Sequence, residues 1–525
     1  MGKIRNGIQK FKYNWRRPST GDNLSYREIA GFSASAAGQD IFWGLRGQVK
    51  TIVIAVFGID PVRFGKLGLF SGLWDAVNDP IMGILIDRTD TKWGKLRPYM
   101  LITAFPIALL TMLSFFNIPL GPDGKFAFVA VVYILWEMAY TISDVPFGAL
   151  SSVMTSDTVQ RTKLVTVSRY GSEAAMALPG IISFVVSIVG IKYMGPIFFA
   201  GAIVLSALGG VLFSTSFFTI KERVPPAPNK QSLKEIWGVL KNSRPMLVLV
   251  VSELMGVINA VSGYTSWYYF LFAFKKGIGW RILKPFSSEA EGVALQNFMA
   301  IIRGAPTFIA MAFTPKIVKR FGLKGLVVIA GLAKAFAYFT IYLLGFDSTP
   351  KLIYMIFILT VTGIPDNMMM IVRRTLSSDA LDYVEYKTGE RSEGLLGSLM
   401  GFAVKLKDAV VVFLGGYALA WVGLGGVEGV ERTIEDFLKM SPDTHKLFML
   451  FALFPAIGAL MQVLPYLFYD FTGEKKQRIL EELEKSRKVR HDDLIEKGYV
   501  FDKDISVKGL LNKQDAENDS QQGDR

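Results

Sequence analysis

Asp75 and Asp79 stand four residues apart, with Asn78 between them, in the middle of a long apolar stretch. Apolar residues flank the group from Leu67 to Phe70 and from Ile81 to Ile86. On a helix, positions separated by three and four residues project from nearly one face, so the three side chains share a patch. A carboxylate inside a bilayer is costly, and an acid kept there is by default a functional hypothesis. Oxygen ligands in a low-dielectric patch suit a hard cation such as Na+. Two facing carboxylates also raise each other's proton affinity, so H+ is the alternative occupant. A purely structural reading pairs Asp75 and Asp79 with lysines of the eleventh apolar segment.

A second group of charges lies further along. Tyr140-Thr141-Ile142-Ser143-Asp144-Val145-Pro146 places another acid in an apolar run, and Pro146 loosens the backbone bonding just beyond it. Arg169 stands in the next run. A carboxylate and a guanidinium brought together satisfy each other and present a fork of donors and acceptors to sugar hydroxyls. The same pair, read structurally, is a buried salt bridge between two helices. Asp40, Arg46 and Lys50 lie in the first segment, and Lys405, Lys407 and Asp408 in the eleventh. Arg46 and Lys50 either pair with acids or water, or bind an anionic substrate such as a uronide. Glu137, Glu253, Arg303, Lys334 and Asp366 add charges of mixed sign, which weakens any case built on Arg46 and Lys50 alone.

These side chains need a membrane scaffold to hold them. The chain has 525 residues, 51% of them hydrophobic, too apolar and too long for one soluble domain. Twelve apolar segments begin near Ile29, Phe64, Pro98, Phe126, Lys163, Met194, Pro245, Val293, Leu323, Lys351, Leu395 and Lys446. Each holds roughly 20 residues or more, enough to span the hydrocarbon core. The expected fold is an all-α membrane protein of twelve transmembrane helices in two six-helix bundles, the major facilitator architecture. The expected boundaries are 1–220 for the first bundle with a basic N-terminal tail and 221–244 for a polar, proline-containing linker. A second bundle covers 245–471 and a charged tail 472–525. Glu474 to Lys497, with Ile479 and Leu483, is spaced as a surface helix to which no function is assigned, and 512–525 reads as disordered.

The net charge is +13. Basic residues crowd the N-terminal tail, the loops after segments 2 and 8, the linker and the C-terminal tail. That asymmetry predicts a multi-pass protein of the plasma membrane with both termini cytoplasmic, rather than a nucleic-acid binder. Lys275, Lys276, Arg281 and Lys284 run against the bias. Cysteine is absent, which excludes disulfides, thiolate catalysis and cysteine-based metal sites. No cleavable signal precedes segment 1, and Asn6 stands where a myristoylation motif after Met1-Gly2 needs Ser or Thr. The only histidines, His445 and His491, are expected outside the helices. With no phosphate loop or activated nucleophile in view, an enzyme is not expected, and no cofactor is expected.

Four motifs in order give the sequence a resemblance. They are Asp75-Ala76-Val77-Asn78-Asp79-Pro80-Ile81-Met82-Gly83; Trp93-Gly94-Lys95-Leu96-Arg97-Pro98; Tyr140 to Pro146; and Asp379 to Gly394, which includes Asp382, Glu385, Gly389, Arg391 and Glu393. Together they resemble the glycoside–pentoside–hexuronide:cation symporter family of melibiose permease-like carriers, through all twelve segments but not the distal tail. The resemblance implies roles. Asp75, Asn78, Asp79 and Thr141 match the family's cation site, with Lys405 beside it as the coupling residue. Asp144 and Arg169 match its principal sugar-binding pair, and Asp40 and Tyr140 contribute to the same pocket. Asp157, Arg161, Asp379, Asp382, Arg391 and Glu393 match a cytoplasmic charge network that closes the inner side. That network also reads as ordinary solvated charge.

Departures from the family pattern bear on specificity. Gly148 and Met370 stand where the melibiose carrier has tryptophans, Gly401 where it has threonine, and Gln39 where it has lysine. Fewer aromatic platforms leave less stacking for a galactosyl ring, so a differently shaped glycoside, a short oligosaccharide or a uronide is expected in place of melibiose. The expected function is sodium-coupled symport of a sugar or glycoside by alternating access. The expected partners are that small molecule, a sodium ion and the lipid bilayer. The rivals are a proton-coupled or uncoupled glycoside or hexuronide carrier and, from another class, a non-transporting sensor or lipid-handling protein on the same fold.

Overall fold

The computed structural model describes residues 24–89, 91–155, 158–223, 243–278, 280, 283, 285–286, 288–389, 393–426 and 430–496. The first half comprises α1 (Tyr26–Ala55), α2 (Pro61–Arg88), α3 (Arg97–Leu113), α4 (Pro122–Met154), α5 (Thr158–Met176), α6 (Leu178–Val189) and α7 (Met194–Thr219). The second comprises α8 (Arg244–Met255), α9 (Val257–Ala273), α10 (Glu291–Leu344), α11 (Thr349–Thr388), α12 (Glu393–Leu419), α13 (Ile434–Lys439), α14 (Thr444–Phe448), α15 (Phe454–Leu467) and α16 (Gly473–Glu496). Twelve membrane segments result: α5 with α6 and α8 with α9 are each one segment, α10 is two, and α14 with α15 is the last. Each starts within a few residues of its expected position. Among the described residues, six spans are long and apolar enough to cross a membrane on composition alone. The segments holding Asp40, Asp75 with Asp79, and Lys405 are not among them, in keeping with the charge they carry.

Local chemistry sets the helix ends. Ser25 and Glu28 form a capping box at the start of α1, satisfying two orphan backbone donors. Asp60 caps α2 at Val62 N and Arg63 N, with Pro61 in the first helical position. Glu222 accepts hydrogen bonds from the backbone N–H groups of Lys95, Leu96 and Arg97 at 2.8–2.9 Å, an anion seated where a helix begins. Gly94 is needed beside it: its φ is +111°, and a Cβ there would stand 2.5 Å from Glu222 Oε1. The Trp93–Pro98 motif is therefore a structural clasp between α3 and the chain after α7. The basic stretch after segment 8 is not the expected loop. Lys316, Lys319 and Arg320 are helical, and α10 turns at Gly322 alone (φ +71°).

The apolar cores show how the halves meet. At the end remote from the termini, one core draws on both, including Ile52 and Phe64 from the first half and Tyr268 and Phe451 from the second. Toward the termini the packing divides into a first-half core around Phe32, Trp136 and Phe213 and a second-half core around Val372, Tyr469 and Leu483. Small residues permit the joint, as is common where membrane helices approach closely. A Cβ on Gly68 would lie 2.3 Å from Val412 Cγ1, and one on Gly72 2.4 Å from Ala409 Cβ. Polar ties reinforce that end: Gly426 N donates to Asp60 at 2.7 Å, and Lys125 pairs with Glu431 at 2.8 Å.

Candidate functional site

The acid patch forms as its spacing predicts. Asp75, Asn78 and Thr141 are buried. Thr141 Oγ1 on α4 donates to Asp75 Oδ1 at 2.5 Å. Lys405 crosses from α12 and bridges both carboxylates, at 2.9 Å from Asp75 Oδ2 and 2.5 Å from Asp79 Oδ2. The second Asp79 oxygen, Oδ1, is buried without a hydrogen-bond partner, as is Asn78 Nδ2. Three helices from two halves thus converge on one patch. It combines a tethered ammonium with an unused carboxylate oxygen, an amide and a hydroxyl. The pairing with an eleventh-segment lysine, raised above as the structural reading, is present together with this unused ligand capacity.

The sugar-pocket residues are arranged differently from expectation. Arg169 does not form an ion pair with Asp144; it pairs with Glu173 one turn on, at 3.3 Å. A side chain reaches i+4 on its own helix at little entropic cost, and this partner prevails. Asp144 instead accepts from Gln39 Nε2 on α1 at 2.7 Å. Asp40 faces α5, with Ser172, Arg169 and Glu173 as neighbours. Tyr140 stacks on Trp136 (4.8 Å between centroids) and leans on Trp43 (5.5 Å). Trp43 is 41% exposed, an aromatic face beside Asp40 and Asp144 that the sequence reading missed. The available signal was its place three residues after Asp40, on the same side of α1. A Cβ added at Gly148 or Gly401 would meet open space, so both positions leave room.

Arg46 is engaged by the fold through one face, while its buried Nη1 has no hydrogen-bond partner. It pairs with Glu137, and its guanidinium lies 3.2 Å over the Tyr133 ring and 4.7 Å from Trp136. Lys50 sits 4.2 Å over the Tyr264 ring in the other half. Both read as structural cations here.

The expected charge network does not join the halves through the residues described. Lys476 of α16 bonds Asp379 at 2.5 Å, and Arg487 of α16 bonds Asp382 at 2.8 Å and Glu385 at 2.5 Å. Arg161 donates to Thr155 O at 2.9 Å, within its own half. Asp157, Arg391 and the Glu393 side chain lie outside the described residues. The tail helix, to which no function was assigned, therefore holds two of the proposed gate acids. It docks through buried Ile479 and Leu483. His445, expected outside the helices, lies in the first turn of α14, where its N–H bonds Asp443.

Two six-helix bundles closed at one end around a buried charged patch define a membrane transporter of the major facilitator class. The chain belongs to the MFS/sugar transport protein family, matched over residues 53–473, and to its glycoside–pentoside–hexuronide:cation symporter branch. It is 27% identical to the uncharacterized symporter YjmB of Bacillus subtilis, over 88% of this chain and 96% of that one. It is 26% identical to the glucuronide carrier protein homolog of Escherichia coli, over 89% and 97%. Among solved structures, a bacterial homologue of the human lysosomal transporter Spinster aligns with a TM-score of 0.57 at 13% identity, covering 85% of this chain and 98% of that one. That likeness speaks to the fold.

Proposed function

We propose that the chain is a sodium-coupled symporter of a sugar or glycoside. The observation that carries this reading is the patch of Asp75, Asn78, Asp79 and Thr141 with Lys405 inserted from the opposite half. A sodium ion entering the patch competes with the Lys405 ammonium for the two carboxylates. Its oxygen ligands are those two acids, the Asn78 amide and the Thr141 hydroxyl. Displacing Lys405 releases the tie between α2 and α12. The sugar binds beside it, within a turn of Thr141 on α4 at Tyr140 and Asp144 and against Gln39, Asp40 and Trp43 of α1, with Arg169 of α5 close by. Because α4 carries both Thr141 and Asp144, order at one site favours order at the other, and each ligand raises the other's affinity by the same factor. Closure at the remote end corresponds to the inward-open state of alternating access, with both termini and α16 on the cytoplasmic side, as the charge bias predicts.

The names of relatives support the substrate class: one is a glucuronide carrier homolog and another an isoprimeverose transporter. The test is sugar-induced thermal stabilisation of the purified protein in sodium and in choline, with Asp79→Asn beside wild type. Larger stabilisation in sodium, lost in Asp79→Asn, is expected. Equal stabilisation in both salts identifies the proton-coupled or uncoupled carrier. Sodium stimulation that survives Asp79→Asn overturns the site.

A further inference from the structure

A second polar cavity lies wholly within the second half. It encloses about 460 Å³ among α8, α9, the later limb of α10, α11, α12 and α15, a volume typical of small-molecule sites. Three cations stand on its wall, Lys334, Arg373 and Lys407, against two carboxylates, Glu253 and Asp366. Glu253 is shared: Oε1 accepts from Lys407 Nζ at 2.6 Å and Oε2 from Arg373 Nη1 at 3.2 Å. Lys334 bonds Asp366 at 2.8 Å. Asp408, not part of the wall, stands 3.6 Å from Lys407.

The donors exceed what these carboxylates use. A guanidinium offers five N–H groups and an ammonium three, and Arg373 Nε is buried without a partner. The wall itself holds three cations to two acids, and Asp408, just outside it, offsets the third. A planar fork and a point charge converging on one carboxylate from separate helices is the arrangement that holds carboxylate ligands. Glu253, on α8, presents such a carboxylate to Arg373 on α11 and Lys407 on α12.

We propose that this cavity binds the carboxylate of a small organic anion through Arg373, Lys407 and Lys334, with Glu253 as the internal carboxylate that competes for the same donors. The site is separate from the Asp75–Lys405 patch, and the proposal does not depend on which cation drives transport. The anion is either the carried solute itself or a separate effector.

The experiment titrates the purified full-length protein with glucuronate and with glucose, which shares the ring but lacks the carboxylate, and follows both labelled compounds into vesicles. Glucuronate is expected to bind at least about ten-fold more tightly than glucose, the size of one good charge-assisted contact. Arg373→Gln and Lys334→Gln should each abolish the preference. Glu253→Gln should tighten glucuronate binding by roughly ten-fold, a gain that a misfolded variant cannot produce. Uptake of bound glucuronate identifies a carried solute; binding without uptake identifies an effector. The proposal is overturned if glucuronate shows no preference over glucose, whether both bind or neither does. It is equally overturned if Glu253→Gln leaves glucuronate affinity unchanged.

Discussion

Lys405 and Lys407 lie two residues apart on α12 and turn their ammonium groups to opposite halves of the molecule. Lys405 reaches Asp75 and Asp79 on α2, and Lys407 reaches Glu253 on α8. At 3.6 residues per turn, neighbours at i+2 point away from each other, so this one helix serves both the shared patch and the second-half cavity. It is also the helix that Gly68 and Gly72 allow α2 to approach closely.

Lys405→Gln removes the ammonium and leaves two facing carboxylates, Asp75 buried and Asp79 partly so. Breaking such a pair from one side costs about 3 kcal/mol or more. In choline the variant is expected to melt well below wild type. In sodium it should recover more of its melting temperature than wild type gains, because the ion meets no tethered competitor. Equal sodium shifts in the two proteins would count against Lys405 as the competitor.

Gly68→Leu places a side chain where Val412 already stands. The joint between α2 and α12 must then open, and the population shifts away from the state closed at the remote end. The chain has no cysteine, so a single Phe413→Cys label reads this directly. Maleimide applied from the face remote from the termini should react faster in the Gly68→Leu background; an unchanged rate would show that the joint does not gate that face.

Lys476→Gln combined with Arg487→Gln unpairs Asp379, Asp382 and Glu385 from α16. Two of these acids are buried. Losing charged bonds to them is worth roughly 2 kcal/mol, and α16 should detach before the bundle unfolds. Limited proteolysis checks this, with cleavage after 472 expected to be several-fold faster and the bundle intact.

Acid should loosen the short helices near the remote end. Backbone N–H bonds from Lys446 and His445 hold the Asp443 carboxyl below its usual 3.8, and bonds with Thr433 do the same for Asp436. A depressed carboxyl stabilises the fold above its unfolded value, and that contribution is lost as pH falls through the folded one. The protection of the His445 and Lys446 amides, measured against their intrinsic exchange rates at each pH, should therefore fall below that range. Asp443→Asn keeps a cap that does not titrate, so protection at these two amides should lose this pH dependence.

The segment starts and the acid patch were legible in sequence because both rest on local periodicity. Helix spacing alone places Asp75, Asn78 and Asp79 together, and the apolar runs mark where the segments begin, although hydropathy alone passes only six of them among the described residues. What was not legible depends on how helices rotate against each other. Asp144 finds Gln39, 105 positions away, while Arg169 settles on Glu173 within its own helix. The platform at Trp43 emerges only once α1 lies against α4. Likewise, the spacing of Ile479 and Leu483 announces a surface helix, but nothing in it names Asp382 as the partner of Arg487.

The bridging lysine has an electrical consequence. Asp75, Asp79 and Lys405 sum to a formal charge of minus one, and a monovalent cation on the two acids brings the group to zero when the displaced Lys405 ammonium, still held within the membrane on α12, is counted with it. A membrane potential acts on the moving charge at about 2.3 kcal/mol per elementary charge per 100 mV. With a negative interior, that voltage pushes the empty, negatively charged patch outward and leaves the loaded, neutral one unaffected. The potential would then power the reset of the carrier rather than its delivery stroke.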